Sequence, residues 1–416
     1  MGACFFTLFI TFIFSTTLFV VALNRYTKKR SHQLPPSSPT IPFFGNLLWL
    51  LVKPFSRVRA LSLSLHEIYG PIYTLHIGSK PLIVIASHSL AHQALIASGA
   101  IFADRPQAIA TEKFLSCDQH NITLAFYGPK WLRLRRNLTY NILHTSRIAS
   151  FADMKIQDIK NLQRRLQSSF DEFKVLNLFP CLGKFVFLKR WEKLRQLRQD
   201  QEKLMVPLIK ARKAMREGKN EKDEPFLPYV DTLFDLQLKE ENRKLEEKEI
   251  VTLCSEFFTA GIDTTSTALE WIMANLMKHP HIQDKLFKEI KGVVSDGEVE
   301  IKDEDLRKMP YLRAIILESL RSHPPSHFLI PHTVAKDVVL GGGTKEIKMM
   351  PFGVGNRMCP AYRLAMLHLK YFVENLVWHF NFKCLGEGVD LTEKHEFTAL
   401  MQNPLEVQIA PRLYVH

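Results

Sequence analysis

Apolar residues recur at helical spacing over most of the chain and alternate at strand spacing over one short stretch. Spacing of three and four residues predicts long helices over five segments: Lys189–Arg216, Lys248–Lys278, Pro280–Val294, Pro310–Ser322 and Pro360–Phe380. Alternating β-branched residues from Pro71 to Ala86 predict two strands that turn at residues 78–81. The pattern therefore predicts a mainly α fold with a small β portion.

The first residues form a separate apolar segment. Ala3–Leu23 carries no charge, and as a helix it would extend about 31 Å, close to a hydrocarbon core of about 30 Å. Basic residues follow this segment at 25–30, whereas a cleaved signal peptide has them in front. Residues 24–44 are basic and then proline-rich, which favours a stiff hinge. We predict a single-pass anchor over 1–23, a hinge over 24–44 and one folded domain over 45–416, with the basic side cytosolic.

Composition and charge refine this picture. The 416 residues are 46% hydrophobic and carry a formal net charge of +13, so a large core is expected. The basic residues are spread over helical faces without a nucleic-acid-binding motif, so we predict no nucleic-acid partner and favour anionic lipid and an acidic protein. The six cysteines lack paired spacing, which indicates reduced thiols in the cytosol.

One cysteine has unusual surroundings. Residues 351–361 place Cys359 on a glycine-containing loop directly before the last long helical pattern. Backbone N–H groups of a tight loop and a helix N-terminus stabilise a thiolate, and this is how a protein presents a thiolate to haem iron. Phe352 could pack against the ring, and Arg357 could bind a propionate. The alternative, a buried structural cysteine, fits the other five cysteines better.

The longest helical pattern contains residues that weaken a helix. Gly261 and the threonines from Thr264 onwards are poor helix formers. Small Ala260 and Gly261 would let the helix approach a flat ligand, and a local widening there would free backbone groups for water and dioxygen. Thr264 could hydrogen-bond oxygen and Asp263 could relay protons. The alternative is a threonine-rich kink whose hydroxyls bond to preceding carbonyls.

Both segments resemble motifs of the cytochrome P-450 superfamily. Residues 352–361 are similar to its Phe-x-x-Gly-x-Arg-x-Cys-x-Gly pattern, with Ala361 in place of the last glycine, and residues 260–265 are similar to its Ala/Gly-Gly-x-Asp/Glu-Thr-Thr/Ser segment. The resemblance implies the cytochrome P-450 fold, with haem b between the long helix and the Cys359 loop. It also implies a haem–thiolate monooxygenase in which Cys359 is the axial iron ligand.

Five further residues gain a role only from the resemblance. Trp131 and Arg135 are similar to a Trp-x-x-x-Arg pair that contacts a haem propionate, and His332 is implied as another propionate contact. Glu318 and Arg321 are similar to the Glu-x-x-Arg pair that braces the haem-side core. The residues alone permit simpler interpretations: an amphipathic helix start, a structural histidine, and an exposed pair that contributes about 0.2 to 0.5 kcal/mol.

The resemblance also implies partners and a location. It is most detailed with plant family eighty-nine, and it implies electrons from NADPH through a cytochrome P-450 reductase, an apolar small-molecule substrate, membrane lipid, and the endoplasmic reticulum membrane. Lys130, Arg133 and Arg136 could meet an acidic reductase, although solvated charges without a partner are an equal alternative.

The chain departs from the superfamily at two places. Blocks of several dozen residues are missing near residues 152–154 and 341–344, and the second block would contain an arginine that completes the network of Glu318 and Arg321. Removing one partner from a buried charge network costs about 3 to 5 kcal/mol, against a total stability of about 5 to 15 kcal/mol. Two alternatives therefore stand beside the monooxygenase. The first is a truncated, inactive, membrane-anchored remnant, and the second is a haem–thiolate isomerase or dehydratase, against which Asp263 and Thr264 argue.

Overall fold

A computed structural model describes most of the folded part of the chain. The described residues are 9–21, 34–40, 45–46, 58–77, 80–143, 187–218, 228–294, 303–341, 343–386, 388–395 and 398–412. Parts of the predicted anchor and hinge, the turn residues 78–79, and the predicted break at 152–154 lie outside these ranges.

Long helices form where apolar residues recur every three or four positions. The five helices predicted from this spacing are confirmed, each within two residues at either end. In chain order, the described α-helices are α1 Val58–Tyr69, α2 His88–His92, α3 Ala110–Leu115, α4 Pro129–Asn141, α5 Leu188–Glu217, α6 Tyr229–Phe234, α7 Glu247–Lys278, α8 Pro280–Val293, α9 Asp303–Arg307, α10 Pro310–Ser322 and α11 Tyr362–His379. A π-helical turn, Gln93–Ala97, follows α2, and a 3₁₀ turn, Gly355–Arg357, precedes α11.

The β portion consists of short antiparallel pairs. The predicted strand pair is confirmed as β1 Ile72–Ile77 and β2 Lys80–Ile85, with Ile72 opposite Ile85. The other described strands are β3 Gln237–Leu238, β4 Arg243–Lys244, β5 Phe380–Cys384, β6 Glu393–His395, β7 Ala399–Met401 and β8 Val407–Pro411. Among them β3 pairs with β4, β5 with β8, and β6 with β7. The predicted mainly α fold with a small β portion is therefore confirmed.

The chain divides into two compact units. One comprises residues 1–93 with 340–348, and the other comprises residues 94–339 with 349–416. The smaller unit buries Leu61, Leu65 and Tyr73 between α1 and its β-hairpin. In the larger unit, one apolar cluster joins α7, α8, α10 and α11, and another joins α4, α5, α6 and α7. Helix α7 thus contributes to both of these clusters. The larger unit also holds the predicted site residues.

The apolar N-terminal segment is described only in part. Residues 9–21 are helical, and Phe9, Phe12, Phe14 and Phe19 are all exposed. Within the described ranges, none of the helices combines the length and the apolar character needed to cross a membrane.

Candidate active site

Two glycines shape the loop that carries Cys359. Gly353 and Gly355 have φ angles of +67° and +71°, in the left-handed region that favours glycine. A Cβ on Gly355 would lie 2.1 Å from the carbonyl oxygen of Leu95, in the π-helical turn. The loop then closes on itself, because the Cys359 N–H donates to the Phe352 carbonyl at 2.8 Å. Backbone conformation therefore favours glycine at both positions, and close packing also requires it at Gly355.

The Cys359 thiol lies in a buried site next to a helix N-terminus. Burial raises its pKa, while the Ala361 backbone N–H and the positive charge of Arg135 lower it. Helix α11 begins at Tyr362, two residues after the predicted start, and Pro360 lies in the turn before the helix. The ring of Phe352 packs edge-to-face on Tyr362, with the ring centroids 5.0 Å apart.

Arg357 is held by backbone carbonyls. Its Nε donates to Ala103 O at 2.7 Å, one Nη donates to Ala125 O at 2.6 Å, and the other lies 3.4 Å from Ile122 O. Burial lowers the pKa of Arg357 to about 10. Its guanidinium also lies over the ring of Trp131, 4.3 Å from the centroid. The acceptors of this half-buried cation are neutral, and the negative charge of Asp104 compensates only part of its positive charge.

Trp131 and Arg135 lie one turn apart on α4. Trp131 is 2% exposed, and its indole N–H donates to Ile122 O at 3.0 Å. Arg135 donates to the carbonyl of Met358, the residue before the cysteine, and burial lowers its pKa. The structure therefore brings this pair to the Cys359 loop. The indole N–H is bonded to a loop carbonyl in this arrangement.

His332 lies beside Arg357 and Arg105, and Arg105 is not one of the residues predicted for the site. Its Nδ1 is 2.5 Å from Phe102 O, and its pKa is lowered mainly by burial, with further lowering by Arg105 and Arg357. Arg105 is 5% exposed and donates to the carbonyls of Thr123, Ile330 and Pro331 at 2.8 to 2.9 Å. No periodicity or motif spacing marks this residue, because its role comes from backbone carbonyls distant in sequence.

We call Arg105, Arg135, Arg357 and His332 the cationic cluster. Burial lowers the pKa of each member. For Arg105, burial together with the positive charge of Arg357 lowers the pKa to about 10. The carboxylate of Asp104 lies nearby, but its Oδ1 accepts from the backbone amides of Arg105 and Tyr127. An acidic group placed among these cations would be strongly attracted.

Helix α7 is regular where a widening was predicted. It continues as an α-helix through Ala260, Gly261, Asp263 and Thr264, so the prediction of a local widening is wrong. The Thr264 hydroxyl donates to the carbonyl of Ala260 at 2.7 Å, which satisfies the hydroxyl within the helix. Ala260 and Gly261 are exposed in mid-helix, and a Cβ on Gly261 would meet no atom within 4 Å. There is room for a flat ligand at this point.

The Glu318–Arg321 pair forms at the surface. The two side chains are bonded at 2.6 and 2.8 Å, but Arg321 is 59% exposed and Glu318 is 63% exposed. The buried network in which we placed this pair is therefore not present in the described residues. Since water surrounds both groups, the pair contributes little to stability.

The basic face of α4 is paired within the chain. Lys130 binds Glu241 at 2.8 Å, and Arg133 lies 3.5 Å from Glu240 and donates to the Gln237 carbonyl. The alternative that these charges have no partner is wrong for these two residues. A reductase would have to compete with the two glutamates.

A sequence model of the family described as Cytochrome P-450 matches residues 35–187, 150–348 and 342–411. The chain belongs to the cytochrome P-450 family. Cytochrome P-450 89A9 of Arabidopsis thaliana is 37% identical, with 98% of this chain and 99% of the relative covered. Tabersonine/lochnericine 19-hydroxylase of Catharanthus roseus is 27% identical, with 98% of each chain covered. The predicted family and its likeness to plant family eighty-nine are confirmed, and the chain is an oxidoreductase of the cytochrome P-450 monooxygenase class.

A solved structure supports the fold independently. A zebra fish cytochrome P-450 with abiraterone has a TM-score of 0.70 and 20% identity, and it covers 86% of this chain and 100% of its own. At this identity the likeness shows the fold alone. The predicted cytochrome P-450 fold is confirmed.

The residues present fit the haem that this family implies. Cys359 offers a sulfur ligand that receives a backbone N–H, and the cationic cluster offers donors for acidic groups. The open space beside Gly261 suits a planar ring. The chemistry of the donors and the room beside α7 thus point to the same group.

Proposed function

We propose that this cytochrome P-450 is a membrane-anchored haem–thiolate monooxygenase that inserts one oxygen atom of dioxygen into an apolar small organic molecule. The observation that carries the proposal is the cationic cluster, whose buried and half-buried arginines donate to neutral carbonyls beside the Cys359 loop. Haem b, when bound, would supply the chemistry of dioxygen activation.

The Cys359 loop would hold the iron and keep the ligand anionic. The Ala361 N–H and the charge of Arg135 favour the thiolate against the effect of burial. Arg357, Trp131 and His332 would bind the propionates, with Phe352 and Gly261 beside the ring. Arg135 would support both the thiolate and a propionate.

Asp263 and Thr264 would supply protons on the α7 side. The Thr264 hydroxyl now donates to Ala260 O, and a χ1 rotation would release it toward a ligand beside Gly261. An aspartate one residue earlier gives a proton source within the same helical turn. This arrangement favours oxygen insertion over an isomerase or dehydratase, which needs no proton delivery to dioxygen.

Electrons would come from NADPH through a cytochrome P-450 reductase, at the endoplasmic reticulum membrane. Four exposed phenylalanines in residues 9–21 support insertion of this segment into lipid. The basic face of α4 supports an acidic partner. Acidic groups of that partner would replace Glu241 at Lys130 and Glu240 at Arg133.

A truncated, inactive remnant is a second candidate that particular observations favour. The family model matches in three overlapping segments that change over at residues 150–187 and 342–348. The alignment with the 37% identical relative runs over 512 positions, more than the 416 residues of this chain. Glu318 and Arg321 are exposed, as expected if a covering segment has been lost.

Co-expression with a plant reductase in microsomes tests the proposal. We expect NADPH and dioxygen consumption coupled to a hydroxylated product from a set of apolar plant metabolites, with Thr264→Val reducing the coupling. Product without NADPH consumption would indicate the isomerase. The absence of haem from the purified chain would leave only the remnant.

A further inference from the structure

The carboxylate of Glu256 on α7 accepts hydrogen bonds from a loop whose carbonyls accept hydrogen bonds from the cationic cluster. Glu256 lies one turn before Ala260, outside the motif of residues 260–265. Its two oxygens accept the backbone N–H groups of Ile122 and Thr123 at 2.8 and 2.7 Å. A carboxylate that accepts two amide donors holds the backbone of those residues in one orientation.

The peptide bond between Ile122 and Thr123 is hydrogen-bonded at both ends. Its N–H end belongs to Thr123 and donates to Glu256. Its carbonyl end belongs to Ile122 and accepts from the Trp131 indole at 3.0 Å, with an Arg357 nitrogen 3.4 Å away. One peptide group therefore connects the carboxylate on α7 with two of the predicted propionate contacts.

Hydrogen bonds arranged in a chain polarise one another, so an anion at the N–H end of the 122–123 peptide strengthens Ile122 O as an acceptor for cations. The next carbonyl, Thr123 O, belongs to the following peptide and accepts from Arg105 Nε at 2.9 Å. Burial raises the pKa of Glu256, and hydrogen bonds from the Thr123 side chain and the two amides offset only part of this rise. Both oxygens accept backbone N–H groups, which is the role of an ionised carboxylate.

We propose that Glu256 is a positioning residue for haem propionates. It would fix residues 122 and 123, and the carbonyls of these two residues would orient Trp131, Arg357 and Arg105 for the acidic groups. The inference rests on the proposed function, because it assumes that the cationic cluster holds haem. It adds a link between the oxygen-side helix and the propionate side of the site.

The test uses the full-length chain loaded either with haem or with haem dimethyl ester, which lacks propionate charges. The rate of loss to excess apomyoglobin is measured for the wild type, Glu256→Gln and the control Glu270→Gln. Glu270 lies on the same helix, and burial raises its pKa. We expect Glu256→Gln to reduce the preference for haem over its ester about tenfold, the loss of about one charge-assisted hydrogen bond. Glu270→Gln should leave the preference within about twofold.

A general loss of packing would accelerate both rates equally and leave the preference unchanged, which would overturn the inference alone. A wild-type chain that shows no preference, or that holds no haem through Cys359, would overturn the proposed function and this inference with it. If Glu256→Gln does not fold, Glu256→Asp is measured in its place, with a smaller loss of preference expected. A double-mutant cycle with Trp131→Phe should show non-additive effects on the preference; additivity would contradict a shared peptide link.

Discussion

Two arginines of the same unit show how differently the chain treats its charges. Arg357 is half-buried and donates to Ala103 and Ala125, whereas Arg321 is 59% exposed and binds the equally exposed Glu318. A short sequence motif predicts a role for each. The difference is that the Cys359 loop lies against backbone that offers carbonyls, while the described residues provide no cover for Arg321.

Helix α11 contains a buried acidic group with an oxygen that is unpaired among the described residues. Glu374 on α11 is fully buried, and its Oε1 has no hydrogen-bond partner within the described part of the chain. Burial and the negative charge of Asp305 raise its pKa to about 8. Buried charge is thus bonded in the cationic cluster and poorly matched in the α9–α11 region, which locates the expected weakness of this chain away from the site.

Arg357→Ala should have the largest effect on stability, and so gives the first way to break this contrast. Removing the guanidinium leaves the Ala103 and Ala125 carbonyls without that donor, at an expected cost of about 3 to 5 kcal/mol. Urea unfolding of the haem-free chain measures it. A loss below about 1 kcal/mol would show that Arg357 contributes no more to the free energy of unfolding than an exposed ion pair does.

Gly355→Ala tests the backbone that the cluster depends on. The new Cβ would lie 2.1 Å from Leu95 O at a positive φ, so we expect a loss of about 3 kcal/mol. Gly292→Ala on α8 is the matched control, because its Cβ would meet nothing within 4 Å and helix propensity predicts a gain of up to about 1 kcal/mol. Equal unfolding midpoints for the two variants would contradict the close approach.

Glu374→Gln sharpens the contrast from the other side. The folded pKa of about 8 lies above the unfolded value of about 4.3, so the folded chain stays protonated where the unfolded chain ionises. Stability should therefore fall as pH rises from about 4.3 to about 8. The variant should lose this dependence and gain about 2 kcal/mol at pH 8 with no gain at pH 4.5. Urea midpoints across that range measure it, and parallel curves for variant and wild type would refute the assignment.

Arg321→Ala should have the smallest effect. A solvent-exposed pair three residues apart contributes little to stability, so the urea unfolding midpoint should barely move. A clear fall in the midpoint would mean that the pair is covered in the folded protein and would argue against the remnant.

Local pattern predicts much of the fold but only part of the site. The apolar spacing of Pro310–Ser322 is sufficient to give α10 residue for residue, because such spacing is a property of one element. Other hydrogen bonds of the site depend on loops that come from elsewhere in the chain. They are the bond from Trp131 to Ile122 O, the bond from Arg105 to Thr123 O, and the bonds from residues 122 and 123 to Glu256. No motif or periodicity in the sequence contains that information.

The most direct test of the account is the carbon-monoxide difference spectrum of the reduced, full-length chain beside Cys359→Ala. We expect the thiolate-type Soret band of a haem–thiolate protein in the wild type, and its loss in the variant. A band of the same kind in both chains would contradict Cys359 as the ligand. The absence of the band from the wild type would contradict the proposed monooxygenase and leave the truncated remnant.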